Sequence, residues 1–351
     1  MMVPVIFQIS LEARESKLKM IYVDDDGSAD FTCIQDAIDY ADDGDTVFVY
    51  SGTYYGNIVL DKSLNVIGED KYSTIIDGMN AGRAVLITAP NGVVIKNFTI
   101  NNGKGGISIG EWNASSKNNI IQNNIILVKS IGINVYSSEN DIISNNTIMN
   151  CDVDGMRVWH YSQNIKIIGN TIFNCGRDGL WIDAQNIEIS GNEIYNNGRN
   201  GMMLGYWYVD NVRVSYNRIY SNGCHGIFIL GSGWPGLCCY AVEKNIVSNN
   251  NYCGIWVSGP ALFIKIKNNH FEGNGASGVE FEYTYISSVK QNNFINNGRN
   301  AWFASSFFNV WSNNYWDDWI GIGPKLIEGI GQSNNYRINL DWFPAKEPYI
   351  I

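Results

Sequence analysis

Apolar and polar residues alternate along this chain in short runs, and each run is cut off by Asn, Gly or Ser. "GINV", "GIFIL", "GIWV" and "NIKIIGNTI" are representative. Alternation at period two with β-branched side chains describes half-buried strands, and Asn and Gly supply the turn geometry that ends them. The runs recur. A segment that reads roughly as Asn, any residue, then Ile, Val or Phe returns at Asn97, Asn124, Asn146, Asn170, Asn192, Asn217, Asn245, Asn269, Asn293 and Asn314, in steps of 21 to 28 residues, with Thr99 and Trp316 in the third place of the first and last copies. A Gly followed by two apolar residues one position apart keeps the same step through Gly106, Gly132, Gly155, Gly179, Gly201, Gly226, Gly254 and Gly278.

A period of this length fits a leucine-rich horseshoe or a parallel β-helix, each of which stacks one unit per repeat. Only six Leu lie between Asn97 and Asn314, and no helical periodicity fits between the runs. The pattern therefore predicts an all-β parallel solenoid of about ten or more rungs. Equivalent residues of successive rungs then lie about 4.8 Å apart, so a position in the repeat becomes a column. In "GIFI", Ile227 and Ile229 point inward and Phe228 outward; the repeated Asn bonds its amide to the turn of the next rung.

The ends read differently. After a turn at Asp24 to Gly27, Phe31, Ile34, Ala37, Ile38 and Ala41 recur at helical spacing, which predicts a short amphipathic helix capping the open end of the solenoid. From Tyr315 to Ile351, Trp316, Trp319, Trp342 and Phe343 stand among Gly and Pro, as an irregular cap that plugs the last rung would. The chain thus divides into a tail (1–20), an N-terminal cap with the first rungs (21–96), the repeat (97–314) and a C-terminal cap (315–351).

Composition narrows the partners. Asp and Glu outnumber Lys and Arg by 34 to 24 with no basic stripe, which speaks against nucleic acid. The one apolar run before Met20, Val3 to Phe7, is too short for a membrane span or a signal-peptide core. Seven Cys show no metal-like spacing and cannot all pair within one chain. Cys151 and Cys175 share a column and read as packed thiols, with an inter-rung disulfide as the other reading; the adjacent Cys238 and Cys239 suggest no role. At Asp24, Asp25, Asp26 and Asp30 a calcium site through Asp24, Asp26 and Asp30 competes with a solvated turn.

Function has to come from residues that the scaffold does not require. The second residue after each repeat Gly gives an outward column of Ser108, Asn134, Arg157, Trp181, Met203, Phe228, Trp256 and Glu280, with Trp302 in the ninth rung. Its aromatic members are a candidate platform for the apolar face of sugar rings. One step before Gly stand Asp154, Asp178, Asn200 and His225. Two carboxylates in adjacent rungs, about 5 Å apart, would push one pKa upward and separate acid from base. On this reading Asp154, Asp178, Asp183 and His225 are the catalytic candidates. Arg157, Trp159, His160, Arg177, Trp181, Arg199, Met203, Trp207 and Phe228 are the substrate contacts. The competing reading treats the Gly-Arg-Asp/Asn segments at Gly176, Gly198 and Gly298 as a favoured turn.

The phrase from Ile21, the "N-x-I … GI-x-V" rungs, and the closing "NNYWDDWIGIGPKLIEG" and "LDWFPAKEPY" resemble secreted right-handed parallel β-helix repeat proteins of the pectate-lyase-like superfamily, especially the NosD-like group common in archaea. The resemblance covers nearly the whole chain. It implies a right-handed coil, an extracellular or cell-surface location, and a polysaccharide partner. "CHGIFILGS" resembles the His segment of polygalacturonases, but neither "RVSYNR" nor "IKIKNN" supplies their Arg-x-Lys, and Arg177 stands where the first of a paired Asp belongs. The Asp-Pro-His of alginate epimerases is absent. Glycoside hydrolase, lyase or epimerase activity stays open beside a noncatalytic adhesion or NosD-like accessory role. Three scattered His and unclustered Met do not suggest copper.

Overall fold

From Met156 to Phe173 the chain lays down three strands, Met156–Trp159, Lys166–Ile168 and Thr171–Phe173, and then begins its next turn at Leu180–Ile182. In this computed structural model, which describes residues 18–205, 209–231, 239–333 and 335–351, each strand pairs in parallel with its equivalent one turn on. Met156 faces Leu180, Lys166 faces Glu188, and Thr171 faces Glu193. The result is a parallel β-helix with three faces, called here the Gly sheet, the middle sheet and the Asn sheet after the residue preceding each strand or, for the middle sheet, its place between the others. The Asn sheet alone holds 12 strands.

The inward positions explain the sequence pattern. Ile148, Ile172, Ile194 and Ile219 stack in one fully buried column of the Asn sheet, as do Ile143, Ile167 and Ile189 in the middle sheet. Burying one such side chain contributes roughly 2–3 kcal/mol, which the β-branched shape secures with little rotamer loss. Ile227 and Ile229 are buried while Phe228 is half exposed, as the alternation requires. Gly is needed where the bend from the Asn sheet to the Gly sheet stacks tightly: a Cβ on Gly198 would lie 2.3 Å from the Gly176 carbonyl oxygen, and one on Gly298 2.3 Å from that of Gly275. The Gly-Arg-Asp/Asn segments are therefore a turn that repeats along the solenoid.

The Asn ladder runs through Asn124, Asn146, Asn170, Asn192, Asn217, Asn245, Asn269, Asn292 and Asn314. At each rung the side-chain oxygen accepts the backbone N–H and the amide of the preceding Asn; for Asn192 these distances are 2.8 and 3.1 Å from Asn170. The ladder Asn also donates back to a middle-sheet carbonyl, as Asn146 does to Ile121 at 2.9 Å. Two members assigned from sequence are displaced by one residue. Asn97 has φ 65° and occupies the left-handed corner position, which Gly169 and Gly191 fill in later rungs, while Phe98 takes the ladder site and donates its N–H to Asn124 at 3.0 Å. In the Asn292–Asn293 pair it is Asn292 that joins the ladder, because Asn293 already belongs to the strand Asn293–Ile295. Doublets of Asn hide the register that the hydrogen bonds fix.

Both ends are closed. The helix Ile34–Tyr40 buries Ile34, Ala37 and Ile38 against the first strands. Its Gln35 side chain accepts the Val59 N–H at 2.8 Å and donates to the Val59 carbonyl at 3.3 Å, standing in for a missing neighbouring strand. At the other end the segment after the short strand Tyr315–Trp316 carries an antiparallel hairpin of Lys325–Ile330 and Tyr336–Asp341. Trp316 is the plug. It stacks on Phe294 at 4.3 Å, which stacks on Phe271 at 5.2 Å, so the inward Ile column grows aromatic towards the cap. Trp342 and Phe343, expected to share this task, are mostly exposed.

Cys151 and Cys175 are buried free thiols in one column, continued by Asn197, whose side-chain oxygen accepts the Cys175 N–H at 3.0 Å. The acidic turn near the N-terminus is internally bonded: Asp24 accepts the Ser28 hydroxyl, Asp26 the Ser28 N–H, Asp30 the Tyr22 N–H and Asp25 the Thr53 N–H.

Candidate functional site: the outer face of the Gly sheet

Register places the outward column as one continuous line. Ser108 pairs with Asn134, Asn134 with Arg157, Arg157 with Trp181, Trp181 with Met203, Met203 with Phe228, Phe228 with Trp256, Trp256 with Glu280 and Glu280 with Trp302. Arg157, Trp159, His160 and Trp181 meet in one cluster. The Arg157 guanidinium lies 4.6 Å from the Trp181 ring and 5.8 Å from the Trp159 ring, and Trp159 sits 4.5 Å from His160. Further along, His225 and Phe228 join Tyr252 and Trp256.

The two groups present their rings differently. Phe228 and Trp256 stack at 4.7 Å with planes 13° apart, so each covers a face of the other and offers its edge outward. Trp159 is turned by 50° from Trp181 and by 86° from Tyr136, so these rings are tilted or edge-to-face and form no closed stack. A sugar stacks on faces, so the first group is the better platform.

That group is wider than the sequence suggested. Trp112, on a tight turn closed by Glu111 and Ala114, lies 6.0 Å from His160 and 6.4 Å from Tyr136. Trp112 and Tyr161 are strongly exposed. Tyr136 follows from the repeat itself, two residues after Asn134 in the column that holds Trp159; Trp112 lies in a turn outside the repeat, and no periodicity marks it. A second missed feature is on the Asn sheet, where Phe173, Tyr195 and Tyr220 stack at 4.9 Å and nearly parallel. Three residues after each ladder Asn was the signal. Their faces are consumed by one another.

Beside the first group lies a cleft of about 400 Å³. Ser108 and Asn134 line its sheet side, Lys104, Ser130 and Ile131 the bend, Arg83 one end, and Arg157 with Trp159 the other. Trp159 leans over it, donating its indole N–H to the Asn134 side-chain oxygen at 3.0 Å. Two of the three cations are already paired, Arg157 with Asp154 and Arg83 with Glu111. The net positive charge of the cleft is therefore small.

The acidic candidates sit behind this surface. Asp154, Asp178, Asn200 and His225 form one column at the bend, and each accepts the N–H of the next rung: Asp178 to Asp154 at 3.2 Å, Asn200 to Asp178 at 3.0 Å, His225 to Asn200 at 3.2 Å, Cys253 to His225 Nδ1 at 3.2 Å. Asp154 and Asp178 are only 1% and 3% exposed, which removes them from contact with a polymer lying on the sheet. Burial raises the Asp178 pKa, aided by the charge of Asp154 and opposed by the bonds from Asn200 and by Arg199. Burial likewise lowers the His225 imidazole to about 4, and acceptance at Nδ1 assigns its proton to Nε2. Asp183 follows the strand Leu180–Ile182 and is buried, its N–H donating to Val158 at 2.8 Å. Arg177 and Arg199 are exposed in adjacent rungs at the rim, Met203 is nearly buried in the outward column, and Trp207 lies outside the described residues.

Two family models match the chain: the right handed beta helix region over residues 83–237, and the periplasmic copper-binding protein NosD over residues 185–329. Solved structures with the same architecture include the A-module of the Azotobacter vinelandii mannuronan C-5 epimerase AlgE6, with a TM-score of 0.61 at 15% identity over 79% of this chain and 94% of that one. The Dettilon tailspike protein gives 0.66 at 15% identity, over 84% of this chain and 66% of the tailspike. PfbA, a surface adhesin of Streptococcus pneumoniae, gives 0.54 at 14% identity over 90% and 95%. A comparison with curated proteins finds no match. The chain is a right-handed parallel β-helix repeat protein, pectate-lyase-like and NosD-like.

Copper, which the NosD description names, was tested against the donor set. His160 lies on the outer cluster, His225 in the bend column, and His270 on the Asn sheet beside Glu272 at 3.1 Å. Among the described residues no three His, Cys, Asp or Glu converge as a metal site would need. These residues do not fit a copper centre. No helix among the described residues is long and apolar enough to cross a membrane.

Proposed function

We propose that this protein binds an extracellular polysaccharide on the outer face of its Gly sheet and holds it without cleaving it. The observation that carries the reading is the cleft over Ser108 and Asn134, walled by Arg83, Lys104, Arg157 and Trp159 and continued by Tyr136 and the exposed Trp112. Small polar groups on the sheet, hydroxyl-binding donors at the rim and tilted aromatic rings are what a sugar chain requires. The commitment of Asp154 and Asp178 to backbone amides favours retention over turnover. Among neighbours of the same fold, a mannuronan epimerase and an α-1,3-glucanase support a glycan partner, and a surface adhesin supports a location outside the cytoplasm.

The test is co-sedimentation of the native chain with polygalacturonate, alginate, xylan and α-1,3-glucan, alongside Trp159→Ala. One retained glycan, lost in the variant, with no new reducing ends or unsaturated product, is the expected result. Product formation abolished by Asp178→Asn would instead make it an enzyme.

A further inference from the structure

The outward column of the Gly sheet changes size abruptly. It runs Leu86, Ser108, Asn134, Arg157, Trp181, so two small side chains form a floor between larger neighbours. On the N-terminal side of that floor, Arg83 and Glu111 reach towards each other across the sheet and close as an ion pair. Arg83 opens the strand Arg83–Ile87 and pairs with Gly105, whereas Glu111 follows the far end of the strand Gly105–Ile109. The pair thus crosses the outer face diagonally, from the start of the Leu86 strand to the turn that follows the Ser108 strand. Glu111 is held on its side by the turn it closes: its N–H donates to Ala114 at 2.8 Å, and the Ala114 N–H returns to its carbonyl at 3.1 Å.

We infer that, given the glycan reading above, the protein takes a polysaccharide by its end. The terminal sugar sits on Ser108 and Asn134 against the Arg83–Glu111 bar, and the chain leaves over Trp159 and Trp181. An internal stretch would have to continue across Leu86, where the bar lies. Both partners of the bar are partly exposed, so opening it costs little and the preference for ends is modest, about two- to fivefold.

The experiment is calorimetric titration of the full chain with equal masses of long-chain and partially hydrolysed polygalacturonate, alginate and xylan. For a glycan that binds, the sites titrated should scale with the number of chain ends. Glu111→Ala and Glu111→Gln, which open the bar from the side that lines no part of the cleft, should each strengthen binding of the long chain about two- to fivefold relative to the fragments. Circular dichroism melts establish that both variants fold. Sites that follow mass and ignore ends in the native protein overturn the inference and leave glycan binding standing, as would bar variants that still count ends. Binding of none of the three overturns both.

Discussion

Asp341 ends the ladder that Asn314 would otherwise leave open. One of its carboxylate oxygens accepts the Asn314 N–H at 2.9 Å, the Asn314 amide at 3.0 Å and the Trp316 indole at 3.1 Å, while the other accepts the N–H groups of Asn313 and Phe343. An Asn in that place would carry two amide donors with no next rung to receive them. A carboxylate, which only accepts, is the chemical full stop of an amide column.

Asp341→Ala strands several buried donors and should destabilise the chain by about 2–4 kcal/mol in urea unfolding. Asp341→Asn, which keeps one acceptor, should cost less. Equal midpoints for the native protein and the Ala variant would show that the cap does not depend on this residue.

The reassigned corner gives a second contrast. Asn192→Ala removes an acceptor for both the N–H and the amide of Asn170 and should cost about 2–4 kcal/mol. Asn97→Gly keeps the left-handed φ of 65° and should stay within about 1 kcal/mol of the native stability. Thermal melts of the two variants that coincide would contradict the placement.

Asp178 predicts a pH effect of definite sign. Burial raises its folded pKa above the ordinary carboxylate value of 3.8, so the folded state holds that proton more tightly than the unfolded one. Its contribution is therefore most favourable below 3.8 and is lost as pH rises through the folded pKa. Asp178→Asn keeps an acceptor for the Asn200 N–H and abolishes that loss. At pH 7 the variant should be at least as stable as the native chain, and the difference should vanish in acid. A variant less stable at pH 7 would show that the charged carboxylate supports the bend.

Arg157 pairs with the buried Asp154 and also lines the cleft. Arg157→Ala leaves Asp154, 1% exposed, without its guanidinium and should destabilise by about 3 kcal/mol. Trp112 is mostly exposed and packs on the half-buried rings of Tyr136 and His160, so Trp112→Ala should change the melting temperature little and weaken glycan retention about tenfold. Unchanged retention in Trp112→Ala would confine the site to the cleft.

Spacing alone carried the rung length, the inward Ile columns, the cap helix and the outward line from Ser108 to Trp302, because a parallel stack turns sequence period into spatial adjacency. What a column of like residues does was decided by three dimensions. Asp154 and Asp178 are adjacent, as their period implied, yet whether a residue before Gly faces the surface or the bend depends on a local turn that no alternation encodes. Asn293 was misplaced because it and Asn292 look alike until a hydrogen bond selects one, and Asn97 because the ladder site beside it holds Phe98 and no Asn. Trp112 and the Arg83–Glu111 pair belong to side chains that leave their own rung and reach across others, so their meeting is a property of the folded chain alone.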